Sequence, residues 1–243
     1  GLLSALDHLQ VLGALLQRFP IDRSRLYVFG SSMGGYIGSM IGKFAPHTFR
    51  LLVDNSGFVR APDLGRATLG FRRGWVHGLA VTVRDTTPWQ PDPTLPHAFN
   101  LHHALIRDVR VVDHMRPTTT VRRLYHSVGD QMVPLAEKRT YAERAARFGP
   151  VSLECIDQAR IDGVMFKTLE HGMGASLMHV ADDAWRAFNE TGLVETGAAE
   201  TGADSDDFCR ESRYAFACGR YAYHLEYSKA GEVALSLHSV SLP

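Results

Sequence analysis

A serine set in a tight glycine-rich turn is the feature that most constrains what this 243-residue chain can fold into. Residues 30–35 read Gly-Ser-Ser-Met-Gly-Gly, and the G-x-S-x-G pattern puts Ser32, not Ser31, at its centre. The apolar residues 25–29 before the turn predict a strand, and residues 33–44 after it predict a helix. This context indicates a nucleophile elbow, in which small neighbours permit a strained serine. The alternative is a turn that serves packing alone.

The first 190 residues alternate between strand and helix patterns, which is typical of a mostly parallel sheet flanked by helices. We therefore predict the α/β fold class. The predicted strands cover residues 25–29, 49–53, 122–128 and 151–156, and the predicted helices cover residues 3–18, 33–44, 97–113, 135–147 and 175–190.

Composition divides the chain into three regions. We expect a core over residues 1–191, interrupted at about 58–120 by a proline-rich insertion that carries aromatic residues. Such an insertion is typical of a lid or binding element, although it could merely cover the sheet. Residues 192–207 have the composition of a flexible linker. Residues 208–243 predict a small β-rich tail, because residues 221–227 and 233–238 alternate in polarity as in a β-hairpin.

Charge and hydropathy exclude several classes of function. Lys and Arg together number 26, as do Asp and Glu, so the net charge of zero argues against nucleic-acid binding and against a basic membrane patch. No apolar run reaches the roughly 18 residues of a membrane-spanning helix. Three cysteines favour a reducing compartment, and we expect a cytoplasmic protein.

Three polar residues in the order Ser32, Asp130, His171 follow predicted strands at strand-to-helix junctions. A serine hydroxyl needs an imidazole to take its proton and a carboxylate to orient that imidazole. Asp130 lies in a Gly-Asp-x-x-Val-Pro turn, and His171 is followed by Gly-Met-Gly. Each has an alternative role, since Asp130 could cap the next helix and His171 could pack at a helix start. Asp54 is the alternative acid.

The remaining site candidates are weaker. The backbone N–H of Met33, at the start of a helix, is the expected oxyanion donor. Ser31, Trp89 and Phe99 are candidate substrate contacts, although packing is the simpler role for the two aromatic rings. Two adjacent histidines, 102 and 103, point different ways on a helix, so no metal site is predicted.

These motifs resemble the α/β-hydrolase superfamily in residues 30–35, 129–134 and 171–172, and the resemblance covers roughly residues 3–190. It implies a Ser-Asp-His triad, ester, thioester or amide substrates, and no cofactor. Residues 161–173 are also similar to a poorly characterised hydrolase-like family of bacterial surface-polysaccharide and flagellar-modification loci. That second resemblance implies a carbohydrate O-acyl ester as the substrate class.

Two expectations follow from the resemblance. The strands that open the superfamily's fold, and the loop that supplies its second oxyanion donor, do not precede residue 32. We therefore expect either a missing N-terminal segment or a sheet completed by another chain, such as a second copy. The predicted activity is a serine hydrolase acting on an acyl ester. The alternatives are an inactive binding module, or an acyltransferase or peptidase with the same triad.

Overall fold

The computed structural model describes residues 2–60, apart from the Leu3 side chain, and residues 106–191, together with five backbone segments. Those segments are residues 71–76, 79–84, 213–218, 221–226 and 238–241. The described strands are β1 (Tyr27–Ser31), β2 (Leu51–Asn55), β3 (Phe71–Val76), β4 (Leu79–Arg84), β5 (Val121–Ser127), β6 (Val151–Ile156), β7 (Arg213–Cys218), β8 (Tyr221–Glu226) and β9 (His238–Ser241). The described α-helices are α1 (Leu2–Arg18), α2 (Met33–Phe44), α3 (Leu135–Ala145) and α4 (Leu177–Glu190).

The central sheet has four parallel strands in the order β1, β2, β5, β6. Parallel neighbours require a crossover connection, and α2 connects β1 to β2 while α3 connects β5 to β6. Since all four strands run the same way, their carboxyl ends share one edge of the sheet. Ser31 pairs with Asn55 across β1 and β2, and Asn55 pairs with Tyr125 of β5. The predicted fold class is confirmed, and the loops that follow the strands at this edge carry the polar candidates.

Two hydrophobic clusters lie on opposite faces of the sheet. On one face, α1, α2 and α3 pack around residues such as Leu6, Tyr36 and Leu124, all fully buried. On the other face, α4 packs against β2 and β5 through Val180 and Phe188. Alternate residues of β2 point to the two faces, as the twofold period of a strand requires. In the described part of the chain no helix combines the length and the apolar character needed to cross a membrane.

One predicted element is wrong within the described residues. Residues 106–113, the visible half of the helix predicted over 97–113, form turns and a 3-10 helix at Val112–His114. The Asp108 carboxylate accepts the Arg110 N–H at 2.8 Å, a local bond that competes with helix formation. The Val109 N–H also donates to the Val59 carbonyl at 2.9 Å. These contacts override the helical pattern.

The tail is β-structured, and its backbone pairs β7 with β8 and β8 with β9, both antiparallel. The predicted first hairpin strand matches β8. The second was predicted over residues 233–238, whereas β9 begins at His238, and residues 233–237 lie outside the described part. The 192–207 linker also lies outside it, so the division into three regions stays a prediction.

Buried His114 makes stability depend on pH. The side chain lies in the core with 6% of its surface exposed, and burial, followed by the nearby Lys43 charge, lowers its pKa from 6.5 to about 3. Between those values the unfolded chain binds a proton that the folded chain does not. We therefore expect His114 alone to contribute a fall in the free energy of unfolding that approaches about 1.4 kcal/mol per pH unit below pH 6.5. Urea unfolding at pH 7, 6 and 5 measures this slope.

The matched variants are His114→Leu and the exposed His179→Leu. His114→Leu should reduce the dependence of the free energy of unfolding on pH by the contribution of one histidine. His179→Leu should leave that dependence unchanged. Equal slopes in the wild type and His114→Leu would show that His114 is not held neutral.

Candidate active site

Ser32 occupies the sharp turn between β1 and α2. β1 ends at Ser31, α2 begins at Met33, and Ser32 between them has φ 55° and ψ −119°, a conformation that costs a non-glycine residue about 1–3 kcal/mol. Its N–H donates to the Asn55 carbonyl at 2.8 Å, which fixes the turn to β2. A Cβ at Gly30 would collide with the Gly34 carbonyl, so the close approach of strand and helix requires glycine there.

The structure brings Ser32, His171 and Asp130 into one hydrogen-bonded series. The Ser32 Oγ lies 2.7 Å from the His171 Nε2, and the His171 Nδ1 lies 2.8 Å from the Asp130 Oδ2. The Asp130 side chain is fully buried, whereas the His171 side chain is 16% exposed and Ser32 is half-buried. The serine and the histidine therefore lie nearer to solvent than the carboxylate.

The protonation states along this series follow from the Asp130 environment. Burial alone would raise the pKa of Asp130, but the hydrogen bonds from His171 and from the backbone of Val133 and Met132 outweigh it and lower the pKa. An ionised carboxylate can only accept, so the His171 Nδ1 carries the ring proton. The Nε2 lone pair then faces the Ser32 hydroxyl, which is the tautomer that a general base requires.

The loop that carries Asp130 is fixed from two sides. The Asp130 Oδ1 accepts the N–H groups of Met132 at 2.8 Å and Val133 at 3.0 Å. The His126 Nε2 donates to the Val133 carbonyl at 2.8 Å and lies 3.7 Å from the Asp130 Oδ2. Burial is the largest influence on His126 and lowers its pKa, so this second imidazole is neutral. His126 therefore holds the loop that carries Asp130, referred to below as the acid loop, and does not compete for the His171 proton.

The loop that carries His171 is long, but it is anchored to the end of β5. The Ser127 hydroxyl donates to the Leu169 carbonyl at 2.5 Å, and the N–H groups of Lys167 and Thr168 donate to the Met173 carbonyl at 2.9 and 3.1 Å. Positive φ angles at residues 172–174 turn the chain sharply after His171. These contacts bring the imidazole back to Asp130 despite the length of the loop.

Asn55, which the sequence analysis did not single out, joins the elbow to the histidine loop. Its Nδ2 donates to the Ser31 Oγ at 2.9 Å and lies 3.5 Å from the Gly172 carbonyl. The polar run of residues 54–57 directly after a buried strand was the available signal. The Ser31 hydroxyl therefore belongs to this framework, and its predicted contact with substrate stays a prediction.

Asp54, the alternative acid, contacts Lys138 instead of His171. Its Oδ2 accepts from the Lys138 Nζ at 2.7 Å, its Oδ1 accepts the Gly57 N–H at 2.6 Å, and both charged side chains are at most 1% exposed. A Cβ at Gly35 would collide with this carboxylate, which explains the last glycine of the turn. The pair ties α3, the helix after the acid loop, to the strand beside the elbow.

The structure describes the position of some of the remaining site candidates and not of others. Met33 is the first residue of α2, and helix N–H groups in the first turn have no acceptor within the helix. The Phe58 ring lies 5.6 Å from the His171 ring, between centroids, at the start of the insertion. Trp89 and Phe99 lie outside the described residues. Among the residues described, no group of three His, Cys, Asp or Glu side chains could hold a metal ion.

Asp130→Asn tests the role of the buried carboxylate. An amide can donate to the His171 Nδ1 and so favours the wrong tautomer, and the comparable change in serine proteases costs about 10⁴-fold. For the ester hydrolysis predicted from the sequence, we expect kcat to fall by about 10³- to 10⁴-fold with little change in KM. The exposed Asp113→Asn is the matched control and should retain wild-type kinetics. Equal activity of the two variants would contradict the role of Asp130.

Comparison with solved structures defines the class of fold. An acetyl ester-xyloside bifunctional hydrolase from Caldicellulosiruptor lactoaceticus is similar with a TM-score of 0.51 and 14% identity, over 79% of this chain and 66% of that one. A sugar hydrolase from Lactococcus lactis gives 0.49 and 12%, over 80% and 71%. Est1E from Butyrivibrio proteoclasticus, with ferulic acid bound, gives 0.48 and 13%, over 79% and 67%. The chain thus spans slightly less than two thirds of the first protein.

The parallel sheet, its flanking helices and the first of these similarities define an α/β-hydrolase type of fold. The chain belongs to the family described as proteins of unknown function, DUF2920, whose model matches residues 1–236. The comparison with curated proteins gave no match. At 14% identity the similarity to the first of these structures supports the fold alone and leaves the activity to be argued from the site.

Proposed function

We propose that this protein is a serine hydrolase that cleaves acyl esters, with Ser32 as nucleophile, His171 as general base and Asp130 as the orienting acid. One observation carries the proposal: the unbroken series of short hydrogen bonds from the Ser32 hydroxyl through His171 to a buried, ionised Asp130. A packing turn would have no need of a strained serine whose hydroxyl contacts an imidazole 139 positions away.

The acylation step uses each group in turn. The Ser32 Oγ attacks the ester carbonyl carbon while its proton passes to the His171 Nε2. The carbonyl electron pair moves to oxygen, and the Asp130 carboxylate stabilises the imidazolium without taking its proton. The imidazolium then gives that proton to the leaving alkoxide as the carbon–oxygen bond breaks. The acyl group remains on Ser32 and the alcohol departs.

Deacylation repeats the sequence with water. The His171 Nε2 takes a proton from a water molecule, and the hydroxide attacks the acyl carbon. The same proton returns to the Ser32 Oγ when the tetrahedral intermediate collapses, which releases the acid. The Met33 N–H, at the positive end of the α2 dipole, is the proposed donor to the oxyanion in both steps.

A carbohydrate O-acyl ester is the proposed substrate class, in line with the second sequence resemblance, and no cofactor takes part in the mechanism above. The insertion at about 58–120 is the proposed lid. The contact between Phe58, at its start, and His171 supports that role. A lid that meets the base would exclude water during acylation.

Hydrolysis of 4-nitrophenyl acetate by the full chain, followed by release of acetate from an acetylated monosaccharide, tests the proposal. We expect turnover that follows the acylation mechanism, with a burst of nitrophenol when deacylation is slow. A folded protein without turnover on either ester, and without a burst, would point to an inactive binding module. Turnover of the nitrophenyl ester alone would contradict the carbohydrate class but not the hydrolase.

A further inference from the structure

A small cavity lies at the edge of the sheet opposite the candidate active site. It has a volume of about 20 Å³ and is enclosed by the carboxyl-terminal end of α2, the start of β5 and the middle of α3. Arg122 is the second residue of β5, whereas the acid loop follows the last residue of that strand. At about 3.3 Å per residue, the cavity is roughly 15 Å or more from Asp130, so it is a separate site.

Three cationic side chains line this cavity: Lys43, Arg116 and Arg122. The neutral lining residues include Ser39 and Tyr141, and no acidic residue lines it among those described. Two acids near the cavity are engaged elsewhere among the described residues, since the Asp108 carboxylate accepts from the Arg110 guanidinium at 2.7 Å and Asp54 is paired with Lys138. The cavity therefore concentrates positive charge.

Arg122 is the unusual member of this group. Only 7% of its surface is exposed, and in the described part of the chain its guanidinium has no hydrogen-bond or ionic partner. Its backbone N–H is used in the sheet, where it donates to the Pro150 carbonyl at 2.9 Å. The guanidinium nitrogens are not among the buried, unpartnered atoms of the described residues, so they are accessible from the cavity. A guanidinium that faces a cavity without a protein partner leaves its N–H donors open to an anion.

The other two cations are positioned to assist. The Arg116 Nη2 donates to the Phe44 carbonyl at 3.2 Å, and the Lys43 Nζ donates to the Ile106 carbonyl at 2.6 Å. Both side chains line the cavity and are held there by backbone carbonyl acceptors. Arginine also suits an oxyanion in particular, because its planar fork of N–H donors matches two oxygens at once.

We propose that this cavity is an anion-binding site for a small inorganic oxyanion of the phosphate class, held by Arg122 and Arg116 with Lys43 at its rim. The volume has room for about one water-sized group. One oxygen would enter between the two guanidinium groups while the rest of the anion stays at the mouth. This size excludes a bulky organic acid from the interior. The proposal does not depend on the hydrolase activity.

Thermal unfolding of the full chain in increasing inorganic phosphate tests it, with sodium chloride adjusted to keep the ionic strength constant. A ligand that binds only the folded state raises the melting temperature with concentration. We expect a rise of several degrees that continues with the logarithm of the phosphate concentration, in the wild type and equally in Ser32→Ala. Arg122→Gln should abolish the rise. Arg116→Gln, at an exposed position whose change should not impair folding, should weaken it several-fold.

Arg123→Gln is the matched control. It removes the same charge from the next residue of the same strand, on the opposite face, where Arg123 contacts Glu154 and Asp183. Phosphate should raise the melting temperature of Arg123→Gln by as many degrees as it raises that of the wild type, each measured from the value without phosphate. Isothermal titration of the wild type with phosphate gives a second measurement if Arg122→Gln does not fold. No saturable binding, or the same response in Arg116→Gln and Arg122→Gln as in the wild type, would overturn the proposal.

Discussion

Ser32→Ala is expected to lower kcat/KM for an acyl ester by about 10⁴- to 10⁶-fold. The large loss has a simple cause: without the Oγ, no acyl intermediate can form, and His171 has only water to activate. Binding and the oxyanion donor would remain, so a residual rate above the uncatalysed one is expected. Steady-state hydrolysis of 4-nitrophenyl acetate at pH 7.5 measures the effect, and circular dichroism checks that the variant is folded.

Ser31→Ala is the matched control, since it removes the same atoms from the adjacent residue. The Ser31 hydroxyl accepts from Asn55 and does not contact the imidazole, so its loss should reduce kcat/KM by less than about 10-fold, the effect of one neutral hydrogen bond. Equal losses in the two variants, or a larger loss in Ser31→Ala, would mean that the register of the elbow is wrong.

Lys138→Met is expected to destabilise the fold by about 3–5 kcal/mol, the range found when one partner of a buried ion pair is removed. The Asp54 carboxylate would stay fully buried with only the Gly57 N–H as a partner. Urea unfolding, followed by circular dichroism and fluorescence, gives the free energy of unfolding. The loss should be similar with and without moderate salt, because a buried pair is only weakly screened.

Two comparisons make that prediction specific. Arg186→Met breaks an exposed ion pair with Asp182 and should cost less than about 1 kcal/mol. The double variant Asp54→Asn with Lys138→Met should recover part of the lost stability, because it removes both charges and keeps an acceptor for Gly57. If Lys138→Met costs no more than Arg186→Met, the buried pair does not stabilise the fold in the way described.

The local sequence pattern was enough to predict that residue 32 lies in a turn between a strand and a helix. A Gly-x-Ser-x-Gly pattern that follows an apolar run is compatible with few backbone conformations. The observed strand, the strained Ser32 and the helix after it agree with that pattern. The carboxyl ends of parallel strands share an edge, so strand-to-helix junctions at residues 130 and 171 predicted the meeting of Asp130 and His171. The hydrogen bonds among the three residues agree with that expectation.

Contacts between segments that are distant in the chain were harder to predict from the sequence. Lys138, which the sequence analysis did not single out, lies on the buried face of α3 with Tyr141 and Ala145. The partner, Asp54, is 84 positions away and was taken as the alternative acid. The helix predicted through residue 113 is replaced by turns because Val109 binds Val59, a pairing that no local pattern specifies.

Labelling of the full chain with a fluorophosphonate probe, followed by intact-mass and peptide analysis, tests the central claim most directly. Such a probe reacts with a serine only when a neighbouring base activates it. The account predicts a single adduct on Ser32 that is absent in Ser32→Ala and strongly reduced in His171→Ala. No adduct on the folded wild-type protein, or an adduct on a different serine, would contradict it.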